Sequence, residues 1–348
     1  MKIYHLSHTD LDGYSAQLVV AHYLSGVEFF NANYGKEIVE KFEQILGKID
    51  ENLKTNPDAK SLVLITDLNL LPTQCEKFQT QLAQKNAKIF LLDHHQSGAE
   101  CAQKYPWYLL DNSRCATKIT YDFFSAIFGE DEELAKFVKV VNAVDIWLKD
   151  ESEFELGKVC LGMVAGAKEI NKIMFEEQSR EYINFLLNKI FEFQNLNEPH
   201  IALDDALHAI KKSFFNSERN DTLSNLISDY VVTLLGAQKE RFSIEYEGFK
   251  GILTYNIGNV SVIGNDFLTR NPDMDFFIDV TSKKTLSFRA NGKVDVSAMA
   301  KNLLGGGGHA NASGGIFIGF KDANSYEAIK SQIEQLINLK TQKADNEI

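Results

Sequence analysis

Ile89-Phe90-Leu91-Leu92-Asp93-His94-His95 is the stretch whose reading decides this chain. A short apolar run of the kind that forms a buried strand ends abruptly in an acid and two imidazoles. Carboxylates and imidazoles gathered at a strand end make a metal site more readily than they make a core. Two more strand ends of the same kind lie upstream. Ile3-Tyr4-His5-Leu6 runs into His8-Thr9-Asp10-Leu11-Asp12-Gly13, and Leu62-Val63-Leu64-Ile65-Thr66 runs into Asp67. Three acid-bearing strand ends in one half of a chain point to a metal-dependent enzyme.

The bulk composition bounds what such an enzyme can act on. The 348 residues are enough for two domains, and a chain 44% hydrophobic and 24% charged is expected to be globular with a proper core. The 36 Lys and Arg stand against 48 Asp and Glu, a net charge of −12. That argues against a broad basic face for a long duplex, whose binding is dominated by phosphate contacts. A small phosphorylated substrate held by local metals and a few cations remains open. Cys75, Cys101, Cys115 and Cys160 are scattered without a CxxC spacing and read as reduced thiols. The start reaches polar His5, Ser7 and Asp10 at once, and no stretch approaches the ~18 apolar residues of a membrane span. A cytoplasmic protein without membrane contact is expected.

The first half alternates apolar runs with helical patterns. Strands are predicted near 2–7, 27–33, 61–66, 88–92 and 107–110, and helices near 13–25, 35–53, 72–86 and 114–128. Such alternation implies βαβ units and a mostly parallel sheet, with ligands at the carboxyl ends of the strands. In 131–149 the residues Leu134, Phe137, Val138, Val141, Val144 and Leu148 recur at helical spacing, and Asp145 falls on that apolar stripe. A buried acid is costly unless it is paired or binds a metal, so Asp145 joins the candidate ligands. Roughly 151–240 reads as amphipathic helix with no evident chemistry. From about 244 the pattern turns strand-like, at 251–255, 260–263, 276–280 and 285–289. A short helix, 296–303, then runs into Gly305-Gly306-Gly307-Gly308-His309, followed by a strand at 315–319 and a last helix at 323–339. This second part is predicted to be a smaller α/β domain with a mixed sheet.

Each candidate has a plainer reading. Asp10 and Asp12 before Gly13 suit a turn with a helix cap; Asp67 suits an N-cap before Pro72; Asp145 suits a pair with a buried Lys or Arg. His94 and His95 suit simple packing on the sheet. On an extended backbone they point to opposite sides, so different roles are expected, one on metal and one elsewhere. What weighs against the plain readings is repetition at several strand ends. Hard oxygen ligands mixed with imidazole, and no thiolate, suit Mn²⁺ or Mg²⁺. Gly305–Gly308 can be a flexible loop, or bare N–H groups beside His309 that cradle an anion, with Arg289 adding a phosphate contact.

With these residues in hand, the chain resembles the DHH-family phosphoesterases, whose triplet stands here as Asp93-His94-His95. The segment from Leu286-Ser287-Phe288-Arg289 through Asp295-Val296-Ser297 and Met299-Ala300 to Gly305-Gly306-Gly307-Gly308-His309 is similar to the DHH-associated domain with its GGGH signature. The resemblance implies a phosphoesterase domain over 1–190, a helical connector over 191–243 and a substrate-binding domain over 244–340. It implies two Mn²⁺ ions, with Mg²⁺ as the alternative. His8 and Asp10 would hold the first, Asp12, His94 and Asp145 the second, and Asp67 would bridge them. Asp93 would orient a ligand histidine and His95 would face the substrate phosphate. Arg289, Gly306, Gly307, Gly308 and His309 would bind the rest of the substrate. Many members place the first histidine four residues before the first aspartate, where this chain has Leu6. His8, on the same side of an extended strand as Asp10 and Asp12, is preferred, and His5 is the alternative.

The expected activity is two-metal hydrolysis of phosphodiester or phosphomonoester bonds in short oligonucleotides or small nucleotides, nano-RNase-like in the first instance, with the substrate in a cleft between the domains. Alternatives are a cyclic nucleotide or cyclic dinucleotide phosphodiesterase, an adenosine bisphosphate phosphatase, a pyrophosphatase or exopolyphosphatase, and a sensor that binds nucleotide without turnover. The sequence is compatible with a homodimer.

Overall fold

The computed structural model describes residues 1–216 and 220–345. The chain forms two compact units, Met1–Gly166 with Ile183–Leu207, and Ala167–Tyr182 with the chain from His208 onward.

The first unit begins β1 (Lys2–Ser7), α1 (Leu11–Tyr23), β2 (Val27–Asn31), α2 (Lys36–Thr55), β3 (Ser61–Thr66), α3 (Pro72–Ala83) and β4 (Ala87–Asp93). It continues α4 (Ala99–Lys104), β5 (Tyr108–Leu110), α5 (Ala116–Phe128), α6 (Glu132–Asp145) and α7 (Phe154–Ala165). Its five strands are all parallel, in the order β2-β1-β3-β4-β5. Parallel neighbours need crossover connections, and the helices between the strands supply them. Alternate strand residues go to opposite faces. Tyr4, Val63, Ile65 and Leu91 pack with Phe42 of α2 and Phe78 of α3, whose rings stack at 3.6 Å. Leu64 and Leu92 pack on the other face with Val20 of α1 and with Ile119 and Phe124 of α5. Burial on both faces is why these strands read as unbroken apolar runs rather than as alternation. The order reverses between β1 and β3, and in such sheets the groove beyond the carboxyl ends at the reversal is where ligands bind. His8, Asp10 and Asp67 leave the sheet there.

The division between the units falls within α8 (Glu176–Phe193) and within α9 (Pro199–Phe215), so the helical stretch is shared between them. The second unit continues α10 (Leu223–Ala237), α11 (Lys239–Phe242), β6 (Ser243–Tyr246), β7 (Phe249–Tyr255), α12 (Val260–Arg270), β8 (Phe276–Val280) and β9 (Thr285–Ala290). It ends α13 (Val296–Leu304), β10 (Gly307–His309), β11 (Ala312–Ile316) and α14 (Tyr326–Asp345). The sheet order is β10-β11-β9-β8-β7-β6, parallel only between β7 and β8, so it is mixed as predicted.

Two readings of this unit are corrected. Val260–Ile263 is not a strand but the start of α12, which buries Ile263, Phe267 and Leu268. The parallel β7–β8 pair requires a crossover, and α12 is that crossover. The glycine run is not a loop: Gly307–His309 is an exposed edge strand paired with β11, which starts at Ala312 rather than 315. The turn itself demands most of these glycines. Gly305 ends α13 at φ 66°, and a Cβ on Gly306 or Gly308 would lie 2.2 Å from the Gly314 carbonyl oxygen or 2.6 Å from that of Ala312. Among the described residues no helix is long and apolar enough to cross a membrane.

A buried acid in β8 gives this unit a pH signature. The Asp279 side chain accepts from Thr254 Oγ1 at 2.8 Å and from the Ile257 amide at 3.1 Å, while its Oδ2 makes no hydrogen bond. Burial lifts its carboxyl from 3.8 to about 7. The folded state therefore holds the proton more tightly than the unfolded chain, and stability falls as pH rises between those values. Asp279→Asn fixes the neutral form. It is expected to be nearly neutral at pH 4 and to raise stability at pH 8 by up to about 4 kcal/mol. Denaturation midpoints of variant and parent that run parallel across this range would contradict the assignment.

Candidate metal centre

Each ligand-bearing side chain is fixed by the local structure at its strand end. After β1, Asp10 caps α1, its Oδ1 accepting from the Gly13 amide at 3.0 Å. Gly13 is obligatory, since a Cβ there would lie 2.5 Å from the His8 carbonyl oxygen. Asp67 turns out of β3 at φ 56°, a left-handed conformation that Asp and Asn tolerate better than most residues, and its amide donates to Leu92 O at 3.2 Å. Asp12, 1% exposed, accepts from the Ala116 and Thr117 amides, both at 2.7 Å, and so caps α5 as well as facing the site. The positive end of that helix helps to hold its carboxylate. Asp145 is the last residue of α6.

The Asp67 carboxylate lies between two groups. On one side its Oδ2 is 3.6 Å from His8 Nδ1, which is itself 2.8 Å from Asp10 Oδ2. On the other its Oδ1 is 3.4 Å from His94 Nε2, and that nitrogen is 3.7 Å from Asp12 Oδ2 and 3.6 Å from Asp145 Oδ2. Ligand atoms of His8, Asp10 and Asp67 lie within 4.8 Å of one another, as do those of Asp12, His94 and Asp145, and of Asp67, His94 and His95. Asp67 is 2% exposed, and its Oδ2 makes no hydrogen bond. A buried carboxylate oxygen with no donor, among three further acids, is a costly arrangement that divalent cations would relieve. The oxygen and imidazole donor set suits Mn²⁺ or Mg²⁺. By this test the residues fit two cations.

The charges show the same frustration. Burial, reinforced by Asp12, pushes the Asp67 carboxyl well above the usual range, and His8 offsets this only in part. Burial and then Asp12 push Asp145 up to about 8. At His8 burial acts downward, but the hydrogen bond to Asp10 and the charges of Asp10 and Asp67 prevail and lift the imidazole to about 10. At Asp10 burial acts upward, yet the His8 contact and the Gly13 amide hold the carboxyl down at about 2. Protons and the His8 imidazolium thus balance an acidic cluster.

A second array runs beside the first. Asp93, wholly buried, accepts from the His95 ring at Oδ1, 2.7 Å, and from the Tyr108 hydroxyl at Oδ2, 2.6 Å. With the carboxylate accepting, His95 Nδ1 carries the proton and Nε2 faces the Tyr34 hydroxyl at 2.8 Å. The Tyr34 ring lies 4.6 Å from that of His8 and is 43% exposed. Burial, then the charges of Asp67 and Asp93, push its hydroxyl above the ordinary tyrosine value.

His8, Asp10, Asp12, Asp67, His94 and Asp145 are thus brought together. Asp10 is both the helix cap of the plainer reading and a member of the cluster. Asp67 caps nothing, since Leu71 is the residue that starts α3. Asp145 faces His94 rather than a Lys or Arg. The histidine that Asp93 holds is His95. His5 lies in the core with Nε2 2.8 Å from Thr66 Oγ1, and burial drives its imidazole down to about 3. Arg289 and His309 belong to the second unit. The Arg289 guanidinium donates to Ser261 Oγ and Phe288 O, each at 2.8 Å, and His309 is exposed on β10. Tyr34, Tyr108 and Asn112, which donates to the His94 carbonyl, escape sequence reasoning because their partners lie 61, 15 and 18 residues away. The one available signal was that Tyr34 follows β2, a fourth strand end.

Known proteins are similar to this chain. Residues 2–143 match the DHH family, N-terminal domain. Over 97% of its length the chain is 40% identical to a Helicobacter pylori protein named 3',5'-cyclic-nucleotide phosphodiesterase, of which it covers 99%. It is 21% identical to Oligoribonuclease NrnB of Bacillus subtilis, over 90% of this chain and 72% of that protein. The crystal structure of an uncharacterized protein from Helicobacter pylori G27 superposes with a TM-score of 0.88 at 40% identity, covering 97% of this chain and 99% of that one. Taken with the strand-end ligands and the Asp93-His94-His95 triplet, the near full-length match shows that the chain belongs to the DHH family of metal-dependent phosphoesterases.

Proposed function

We propose that this chain hydrolyses phosphodiester bonds of small nucleotides, with 3',5'-cyclic nucleotides first and short oligoribonucleotides second. The observation that carries the chemistry is the buried Asp67 carboxylate standing between two ligand groups with one oxygen unbonded. His8 and Asp10 would hold one divalent cation, Asp12, His94 and Asp145 another, and Asp67 both; Mn²⁺ is the first choice and Mg²⁺ the second. A bound pair of this kind supplies Lewis acidity toward the phosphoryl oxygens and toward the attacking water. The chain's own groups do the rest. Asp93 fixes the ring of His95, which faces the substrate phosphate, and Tyr34 covers the other nitrogen of that ring. In the second unit Arg289, the backbone at Gly306, Gly307 and Gly308, and His309 bind the remainder of the substrate. The order of substrates follows the relatives. The 40% identical protein named for cyclic nucleotides outweighs the 21% identical oligoribonuclease.

The test is a hydrolysis panel with Mn²⁺ or Mg²⁺: cyclic mononucleotides, cyclic dinucleotides, di- and pentaribonucleotides, adenosine bisphosphate and pyrophosphate. Cation-dependent cleavage of nucleotide phosphodiesters is the expected result. Turnover of pyrophosphate alone would move the assignment out of nucleotide chemistry. Binding of nucleotide with no turnover under either cation would make the chain a sensor.

A further inference from the structure

We propose that Trp147 is the platform on which the nucleobase of the substrate stacks, so that it selects phosphoesters that carry a base; this rests on the phosphoesterase reading above. Helix α6 delivers Asp145 to the acidic cluster and ends in a tight turn. Leu148 N donates to Ala143 O at 2.7 Å and Trp147 N to Val144 O at 3.3 Å, which closes the helix as a Schellman-type cap. The residue inside such a cap adopts the left-handed conformation and is usually glycine. Here it is tryptophan, at φ 60°. A bulky side chain at that φ is a steric outlier, and outliers of this kind gather where function retains them. The residue is also in the wrong place for a core tryptophan, being 54% exposed. Its one ring neighbour among the described residues is Phe154, which meets it edge-on at 5.0 Å and 88° and is itself buried. The indole is therefore packed against one perpendicular ring, and the residue is more than half exposed.

Local backbone preference and apolar burial both argue against tryptophan at this position, so a gain made outside the folded chain has to offset them. The position says which gain. Two virtual bonds separate the Cα atoms of Asp145 and Trp147, at most about 7 Å. A nucleotide whose phosphorus sits at the cluster carries its base, one sugar away, into the neighbourhood of this ring. Stacking on an open aromatic face binds any base and ignores base edges, which suits a substrate class defined by having a base.

The test compares a diribonucleotide with a dinucleotide whose two sugars are abasic. Trp147→Ala is expected to raise KM for the base-bearing substrate roughly 10-fold, with a much smaller change in kcat. KM for the abasic one should move little, and Trp147→Phe should restore most of the difference. The chain has two tryptophans. In a Trp107→Phe background AMP should therefore quench the fluorescence of Trp147, and ribose 5-phosphate should not. An unchanged KM for the base-bearing substrate in Trp147→Ala, or an equal rise for both substrates, overturns the proposal, as does the absence of quenching by AMP. If Trp147→Ala fails to fold, Trp147→Phe and the quenching titration decide. Parent protein that cleaves neither substrate removes dinucleotides from the proposed substrates without touching the stacking, which quenching by AMP against ribose 5-phosphate still reports; the phosphoesterase reading itself stands or falls on the hydrolysis panel.

Discussion

Asp67→Asn should lower cation-dependent turnover by on the order of 10³-fold while leaving the folded structure intact. The backbone tolerates the change, because Asn adopts the left-handed conformation at φ 56° as readily as Asp does. What is lost is a negative charge shared by two ligand groups, on a side chain 3.6 Å from His8 and 3.4 Å from His94. Charge stabilisation by a metal pair is worth several kcal/mol, and about 4 kcal/mol corresponds to that loss of rate. Without cations the effect on stability should have the opposite sign. Burial and Asp12 make the Asp67 charge unfavourable in the folded chain, so its carboxyl is raised and the neutral amide is easier to bury. The variant should therefore melt higher than the parent in EDTA, and the parent should gain more from added Mn²⁺. Turnover close to that of the parent at saturating cation would end the bridging assignment.

Asp93→Asn should cost about 10²-fold or more in kcat with a much smaller change in cation affinity. Asp93 belongs to neither of the two ligand groups but fixes the proton of His95 on Nδ1, 2.7 Å away, leaving Nε2 toward Tyr34. An amide offers one acceptor where the carboxylate offered two. Either His95 or Tyr108 must then find a donor where its acceptor stood, and the tautomer and orientation of the ring are no longer enforced. In a serine-protease triad the corresponding change is very costly for the same reason. Tyr108→Phe is the control. It removes the outer hydrogen bond, leaves the His95 contact in place, and should cost less than about 10-fold in kcat. Equal losses in the two variants would mean that Asp93 acts through general packing and not through His95. A large drop in Mn²⁺ affinity in Asp93→Asn would mean that it belongs with the ligands.

The division of labour between chain and fold is visible in particular residues. The strands of the first sheet were legible because a sheet covered on both faces must be apolar at every position, as in Leu62–Ile65 and Ile89–Leu92. The acids that end those runs were legible because carboxylates repeated at several buried strand ends are costly unless they are paired or hold a cation. Val260–Ile263 misled because four apolar residues fit either period, and only the demand of a parallel β7–β8 pair for a crossover resolves them as helix. The glycines at 305–308 advertised an anion cradle, yet three of them are already required, Gly305 by its positive φ and Gly306 and Gly308 by the close approach of the hairpin backbones.

Local chemistry along the chain therefore determined that this is an α/β protein with acids and imidazoles at its parallel strand ends. Folding alone decided which of them share a centre. His8 is the preferred candidate on paper because it shares a side of the extended chain with Asp10 and Asp12, but only the fold shows His5 buried against Thr66 and the turn beyond β1 carrying His8 to Asp10 and Asp67. Tyr34, Tyr108 and the cap that Asp12 places on α5 were invisible for one reason. Each depends on a hydrogen bond between residues far apart in the chain, and such a bond leaves no period, spacing or composition to read.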